Sequence, residues 1–238
     1  RSYLQSDASV KKITNYITRK VADKLNSIFK NERENLESKW NDIKVVIEYG
    51  MLTEDKFYDK AESFNLYPTV DDKYFTYEEL EKKIKKLQTD KDGNLIILYA
   101  QNKDEQYTYI ESAKEKGYEV LLLDSPIIPH LMQKLESKKE KIKFSRVDSD
   151  TLENLIKKDE EVISKLTDEE KEKLKPMIET AVENEKYTLQ LEALDSNSMP
   201  FMLAQPEFMR RMKEMQQTGG GAMGNLPDMY SLIVNTNH

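Results

Sequence analysis

The glycine run near the end of the chain has the spacing of a phosphate-binding motif. Gly219–Gly224 satisfies the pattern G-x-G-x-x-G, which in dinucleotide-binding proteins brings backbone amides against a pyrophosphate. That motif needs a strand before it, a helix after it and an acidic residue about twenty positions further on. Here a helical pattern precedes the run, and Asn-Leu-Pro follows it. We therefore interpret Gly219, Gly220 and Gly221 as a flexible hinge.

The other candidates for catalysis or metal binding are histidines and acidic pairs. The chain has no cysteine, which excludes disulfides, thiolate metal sites and thiol nucleophiles. His130 and His238 are too few and too far apart for a zinc cluster, and neither has the spacing of a Ser-His-Asp triad. The acidic pairs lack the spacing of a calcium loop and are typical of helix caps and solvated faces: Asp71 with Asp72, Glu78 with Glu79, and Asp148 with Asp150. We expect no metal site.

The methionine-rich segment Met199–Gly224 could bind a partner instead, because it holds six of the ten methionines of the chain. Phe208, Met212 and Met215 recur at i, i+4 and i+7, which is typical of a helix face, and Met209 lies beside them. Three interpretations stay open: an ordinary core stripe, a helix in a membrane interface, and a deformable surface for varied apolar partners. The acidic balance of the chain disfavours the membrane interface.

Composition limits the classes of function further. The 238 residues carry a formal net charge of −7, which disfavours nucleic acid as a partner. Charged residues make up 34% of the chain and the mean hydropathy is −0.76, values typical of a highly solvated protein. The longest apolar run, Leu95–Ala100, is far shorter than the roughly 18 residues that a membrane span needs. We expect a cytoplasmic protein without a membrane span or a signal peptide.

The elements that must position these residues fall into three regions, and the first is helical. Residues 1–69 predict a packed helical coil, because apolar residues recur every three or four positions through the first helix. This stripe comprises Val10, Ile13, Ile17, Val21, Leu25 and Ile28. Gly50 is expected to cap the C-terminus of a later helix in this region.

Residues 70–148 predict a small three-layer αβα unit with a short, mostly parallel sheet. Thr76 and Glu79 have the spacing of a capping box ahead of a helix at Tyr77–Leu87. Apolar strands over residues 94–100, 118–124 and 141–147 alternate with helices. This order favours parallel strand pairing with helices covering the sheet.

Residues 149–238 predict a partial mixed α/β domain. Thr167 and Glu170 form a second capping box, which opens a helix that runs to about Val182. Tyr187–Leu194 alternates with period two and predicts a half-exposed strand, with Met229–Asn235 as its partner. The expected fold class of the whole chain is therefore α/β, in the mixed sense.

Four blocks of the chain resemble segments of a known protein family. They are RSYLQSDASVKKITNYITRKVADKLNSIF at the start, then KVVIEYGMLTEDKFYDKA, EVLLLDSPI and MPFMLAQPEFMRRM. In this order they resemble the ninety-kilodalton heat-shock chaperone family of the bacterial HtpG type, over essentially the whole chain. The resemblance implies a piece of a longer stress-response chaperone, namely the end of the middle domain and most of the C-terminal domain, without the final dimerisation helices.

The resemblance also implies the activity of the longer parent protein. That parent is expected to be an ATP-hydrolysing homodimer that binds and remodels partly folded client proteins, with ATP and Mg²⁺ as cofactors. The piece itself is expected to bind no cofactor and to hydrolyse no ATP. Arg1 and Gln5 match an arginine and a glutamine that reach the nucleotide site of the family, where the guanidinium contacts the γ-phosphate.

The methionine-rich helix matches an exposed amphipathic helix of the family that is implicated in holding clients. The implied client-binding residues are Phe208, Met209, Met212, Met215, Met202, Leu131 and Met132. An alternative is a non-enzymatic module that binds hydrophobic peptides with a methionine-rich helix, as signal-sequence receptors do. Those receptors also bind RNA through basic helices, which the net charge of this chain disfavours.

Overall fold

The structure, a computed structural model, describes residues 8–159, 162–182, 187–219 and 228–238. The chain separates into two compact units, of which the first ends at Lys83 and the second begins at Ile84. The helices in the described residues are α1 (Ala8–Asn31), α2 (Arg33–Ser38), α3 (Trp40–Thr53), α4 (Asp55–Ala61), α5 (Tyr77–Gln88), α6 (Tyr107–Glu115), α7 (Ile128–Lys138), α8 (Leu152–Leu155), α9 (Asp168–Val182) and α10 (Glu207–Gly219). The predicted α/β class is confirmed. The three-part division at residues 69 and 148 stays a prediction.

Eight strands accompany these helices in the described residues. They are β1 (Tyr67–Pro68), β2 (Tyr74–Phe75), β3 (Leu95–Ala100), β4 (Val120–Leu122), β5 (Ile142–Arg146), β6 (Tyr187–Glu192), β7 (Phe201–Ala204) and β8 (Tyr230–Asn235). The first two form an antiparallel ladder in the first unit, and the others form two three-stranded sheets in the second unit.

The first unit is helical, as its sequence pattern predicts. Its buried residues include Trp40 and Met51 of α3 and Phe64 after α4. Helix α1 forms, but three residues of its apolar stripe, Ile13, Ile17 and Val21, are exposed. A stripe of this spacing predicts a helix with an apolar face, and it does not by itself predict what covers that face.

Gly50 does not cap a helix, so this prediction is wrong. It lies inside α3, which continues to Thr53, and the N–H of Glu54 closes the last turn by donating to the Gly50 carbonyl at 3.0 Å. A Cβ added at Gly50 would lie 2.8 Å from Cε1 of Phe57 in α4. Glycine is needed here because the Phe57 ring packs directly on the helix backbone.

Both capping boxes are confirmed. The N–H of Thr76 donates to Oε2 of Glu79 at 2.9 Å, and the N–H of Glu79 donates to the Thr76 hydroxyl at 3.3 Å. Thr167 and Glu170 make the same pair of bonds at 2.8 and 3.3 Å. These bonds satisfy amides that have no partner within the first helical turn, and they explain why α5 and α9 begin where predicted.

The first sheet of the second unit is parallel, with strand order β4-β3-β5. Its central strand β3 is buried along its whole length, as an apolar run between helices predicts. Tyr99, near the carboxyl end of β3, pairs in register with Arg146 at the end of β5. Two polar side chains therefore lie together at the carboxyl ends of the strands, where parallel α/β folds usually place their ligand-binding sites.

The second sheet has strand order β6-β8-β7, with β6 parallel to β8 and β7 antiparallel to it. The predicted pairing of residues 187–194 with residues 229–235 is confirmed. Strand β7 was not predicted, because its four residues lie within the methionine-rich segment. It is an edge strand, and its Leu203 carbonyl accepts a hydrogen bond from the Tyr109 hydroxyl at 2.7 Å.

Candidate functional site

Helix α10 follows β7 directly and carries one charged stripe along its length. Glu207, Arg210, Arg211 and Glu214 stand at i, i+3, i+4 and i+7, so they share one side of the helix. Arg210 bonds Glu207 and Glu214 at 2.7 Å each, and Arg211 bonds Glu207 at 2.6 Å. An acidic residue in the first turn is also favoured by the helix dipole. The stripe therefore neutralises most of its own charge.

This charged stripe faces the inside of the second unit. Arg210 is only 4% exposed, and its Nη2 donates to the Tyr99 hydroxyl at 2.6 Å. The same hydroxyl donates to Oε1 of Glu207 at 2.7 Å, and the other oxygen of Glu207 accepts from the main-chain N–H of Arg146 at 2.9 Å. Helix α10 is thus fastened by polar bonds to the carboxyl ends of β3 and β5.

Two further arginines at this sheet end, Arg211 and Arg146, are bonded to neighbouring groups, while the buried Nε of Arg210 has no hydrogen-bond partner among the described residues. Arg211 reaches across to α7, where it bonds both oxygens of Glu136 at 2.8 and 3.2 Å, and it also donates to the carbonyl of Phe144 at 2.6 Å. The Arg146 side chain bonds both oxygens of Asp148 at 2.6 and 2.9 Å and Oε1 of Gln101 at 2.7 Å. We name the set Tyr99, Glu136, Arg146, Glu207, Arg210 and Arg211 the docking network.

The protonation states in the docking network follow from its geometry. Burial acts to raise the pKa of Glu207, but the charges of Arg210 and Arg211 outweigh it and lower that pKa. Burial, followed by the charge of Glu207, raises the pKa of the Tyr99 hydroxyl. Burial would lower the pKa of Arg210, and the neighbouring carboxylates raise it instead. The centre of the network, formed by Tyr99, Glu207, Arg210 and Arg211, is therefore an ionised carboxylate and two charged arginines around a neutral phenol. This arrangement suits an anchor and not proton transfer.

The apolar residues of α10 lie on the remaining sides of the helix. Phe208 is 71% exposed, while Met209, Met212 and Met215 are half-buried. At about 100° per residue, Met209 and Met212 point away from the charged stripe, while Phe208 and Met215 lie to one side of it. Contrary to the usual arrangement of a surface helix, the most buried side chain of α10 is the charged Arg210, and the apolar Phe208 is exposed.

Strand β7 adds apolar side chains next to α10 in sequence. Phe201 and Leu203 are exposed, and Met202 is half-buried. The predicted binding residues of this segment thus share one short strand–helix element. Exposed aromatic side chains and half-buried methionines are typical of surfaces that hold apolar partners.

The other predicted site residues lie elsewhere. Leu131 and Met132 are on the inner side of α7, where they are 1% and 0% exposed, because their side chains fill the core. Gly219 ends α10, while Gly220 and Gly221 lie outside the described residues, as do Arg1 and Gln5. No cluster of three or more potential metal ligands occurs in the part of the chain that the structure describes.

A sequence model described as Hsp90 protein matches residues 1–218 of this chain. The chain belongs to the Hsp90 family. Among its relatives, chaperone protein HtpG of Bacteroides thetaiotaomicron is 49% identical over 243 residues, and that of Porphyromonas gingivalis is 45% identical. Each alignment covers 100% of this chain and 36% of the relative, so the chain spans about a third of the length of these curated relatives.

Among solved structures, the middle domain of a protein described as a putative heat shock protein of Plasmodium falciparum matches this chain. It has a TM-score of 0.46 and 15% identity, and it covers 59% of this Hsp90-family chain and 58% of its own. None of the described helices is long and apolar enough to cross a membrane.

The docking network of this Hsp90-family chain was missed by reasoning from the sequence. None of its six residues was assigned a role from the sequence. One signal was available: Glu207, Arg210, Arg211 and Glu214 repeat with the same spacing as an apolar stripe, and oppositely charged neighbours at that spacing can satisfy one another when buried.

Proposed function

We propose that this chain is the part of an ATP-driven molecular chaperone that holds partly folded client proteins on the outer side of α10. One observation supports this most directly: the charged stripe of α10 is turned inward while Phe208 is 71% exposed. Methionines beside it are unbranched and polarizable, so they adapt to differently shaped apolar partners. A chaperone needs a surface of this kind because its clients share hydrophobicity and not a sequence.

The energetics of the exposed phenylalanine favour this proposal. Burying a phenylalanine side chain is worth roughly 1.5–3 kcal/mol relative to leaving it in water. Because Phe208 is exposed, its burial free energy does not contribute to the stability of this protein, although the methionines of α10 could have formed a core with it. A client segment that covers Phe208 would recover the gain, which makes the exposed side chain useful for binding.

The proposal includes the parent protein as the resemblance implies it. In the longer protein, Arg1 would contact the γ-phosphate of ATP with Gln5 beside it, and Mg²⁺ would accompany the nucleotide. The parent would work as a cytoplasmic homodimer whose conformational cycle changes the presentation of the client surface. Family membership favours this function over that of a signal-sequence receptor.

The first test replaces the exposed aromatic residue and then the whole apolar side. Phe208→Ser, and the triple change with Met212→Ser and Met215→Ser, should weaken binding to reduced, carboxymethylated α-lactalbumin by about tenfold or more, because burial of the aromatic ring is lost. Fluorescence anisotropy of the labelled client measures the Kd. Phe208→Ser should leave Tm nearly unchanged, since the side chain is exposed.

Two exposed apolar residues outside this surface provide matched controls. Val46 in α3 and Met177 in α9 are 73% and 69% exposed, close to the value for Phe208. Val46→Ser and Met177→Ser should not alter client affinity. Equal losses in all three single variants would mean that clients bind any exposed apolar residue, and an unchanged Kd in the triple variant would overturn the proposal.

A further inference from the structure

We infer that Glu207 is a positioning residue for client binding, because it holds α10 with its charged stripe inward and Phe208 outward. This inference rests on the proposed function. Glu207 touches no client itself; it acts through the orientation of Phe208 on the next position of the helix. Helix α10 has a charged stripe and an apolar stripe, and either of them could face the rest of the second unit.

The hydrophobic effect favours the opposite orientation of α10. Phe208, Met212 and Met215 have the i, i+4, i+7 spacing that normally packs a helix onto a core. Turning that side inward would remove apolar surface from water, which is the dominant favourable contribution in folding. The observed orientation therefore requires polar contacts that are lost when the helix rolls or lifts.

Glu207 collects those contacts on one carboxylate. Its two oxygens accept from the Tyr99 hydroxyl at 2.7 Å, the Arg146 N–H at 2.9 Å, Nη2 of Arg210 at 2.7 Å and Nε of Arg211 at 2.6 Å. Two of these donors belong to the sheet and two to α10 itself. Removing the carboxylate would leave the buried Tyr99 hydroxyl without its acceptor, and it would leave the buried Arg210 with Glu214 as its one remaining carboxylate partner in the described part of the chain.

The position of Glu207 in the chain strengthens this role. It is the first residue of α10, immediately after Pro206, so its bonds set the rotation of the helix from the first turn. Buried ion pairs often contribute more to the choice of one arrangement than to stability. The docking network fits that role here, because the competing arrangement is the apolar-inward one.

The consequence for binding is a change in the fraction of molecules that present Phe208. If the fraction with the charged stripe inward falls to about a tenth, the apparent Kd for a client rises about tenfold. Glu207→Gln keeps the size and removes the charge, and Tyr99→Phe removes one hydroxyl from the same network. We expect a large loss of client affinity from the first change and a smaller one from the second.

A tryptophan reporter separates orientation from simple loss of structure. Phe208→Trp places an indole on the exposed side of α10, and Trp40, the one natural tryptophan, is buried at 1% exposure. Acrylamide should quench the new indole strongly in the otherwise unchanged protein. Adding Glu207→Gln should shift its emission to shorter wavelength and reduce the quenching, because the apolar side then faces inward.

The matched control breaks an ion pair on another side of the same helix. Lys213 bonds Asp228 at 2.7 Å, and Asp228 lies outside both sheets and is not a member of the docking network. Asp228→Asn should change neither the indole emission nor the Kd for reduced, carboxymethylated α-lactalbumin. If Glu207→Gln lowers Tm so far that the fold is lost, Tyr99→Phe provides the same comparison with a milder change.

The combined variant decides whether Glu207 acts through Phe208. In the Phe208→Ser background, Glu207→Gln should add little further loss of affinity, because the side chain that it orients is already gone. Full additivity, or an unchanged indole signal with Glu207→Gln and Tyr99→Phe, would overturn the inference. If the triple change of Phe208, Met212 and Met215 to Ser leaves the Kd unchanged, the proposed function fails instead, so the two failures are distinguishable.

Discussion

Helices α7 and α10 pack against each other in the second unit, yet they bury opposite kinds of side chain. Helix α7 turns Leu131 and Met132 inward, at 1% and 0% exposure, while α10 turns Arg210 inward at 4%. Both helices have an apolar and a charged side. Amphipathic spacing therefore shows that a helix has two sides, and it does not show which of them faces the protein.

The surface beneath each helix explains the difference. Helix α7 packs against β5 and adds its leucines to a core that includes Phe144. Helix α10 instead meets the ends of the strands, where the Tyr99 hydroxyl and the Arg146 N–H need partners. An apolar side placed there would leave these buried polar groups unsatisfied, at a cost of about 1–3 kcal/mol each.

The largest expected effect is on α7, where the apolar side is inside. Leu131→Ala should lower the free energy of unfolding by about 2–5 kcal/mol, because it leaves a cavity in the core. Urea denaturation followed by circular dichroism measures the loss. Gln133→Ala on the exposed side of the same helix should stay within about 0.5 kcal/mol of the parent chain. Similar values for the two variants would contradict the burial described for α7.

A smaller loss is expected when the inward charge of α10 is removed. Arg210→Met should lower the free energy of unfolding by about 1–3 kcal/mol, since Glu207 and Glu214 lose a buried partner. The same denaturation experiment with Lys213→Met provides the comparison, because that cation pairs with a half-exposed carboxylate and should cost less than about 1 kcal/mol. If Lys213→Met is the more damaging change, the inward side of α10 has been assigned wrongly.

The smallest effects should come from two carboxylates with opposite pKa shifts. The lowered pKa of Glu207 means that its contribution to stability is present above the ordinary carboxyl pKa of 4.5 and is lost as pH falls through the folded-state value. Burial, followed by repulsion from Asp150, raises the pKa of Glu192, so the folded state gains from this group as pH falls through that raised value.

Glu192→Gln should therefore raise Tm at neutral pH by an amount equivalent to less than about 1 kcal/mol. The difference in Tm between this variant and the unchanged protein should shrink as the solution is acidified, because Glu192 of the unchanged protein then becomes protonated. Thermal melts from neutral pH down to about pH 4 test this, the lower limit lying near the ordinary carboxyl pKa. A variant that is less stable than the parent at neutral pH would show that the bonds from Asn154 to Glu192 outweigh the burial.

Much of the fold was predictable because its signals are local. Capping boxes join residues three positions apart, as Thr76 and Glu79 do, and a buried parallel strand such as β3 shows as an uninterrupted apolar run. Strand β7 was not predicted because four residues are too few to show a reliable alternation of apolar and polar side chains. Gly50 was misassigned because close packing against Phe57 leaves no local trace in the sequence.

The candidate site was predictable only in part. The resemblance identified the helix, but its orientation depends on groups far away in the chain. Tyr99 is 108 positions from Glu207, and Arg146 is 61 positions from it. Charged residues at helical spacing look the same whether water or a sheet end satisfies them, so the inward stripe could be recognised only in three dimensions.

The bond between Tyr109 and the Leu203 carbonyl bears on self-association. An edge strand with exposed side chains such as Phe201 is the element through which sheets of different molecules join. The Tyr109 hydroxyl occupies one of the main-chain acceptors of β7, and beyond its end the Gln205 N–H is taken by the Asp148 carbonyl at 3.0 Å. If clients bind this surface as proposed, they meet apolar side chains beside a partly closed hydrogen-bonding edge, which leaves fewer main-chain groups for strand addition between molecules.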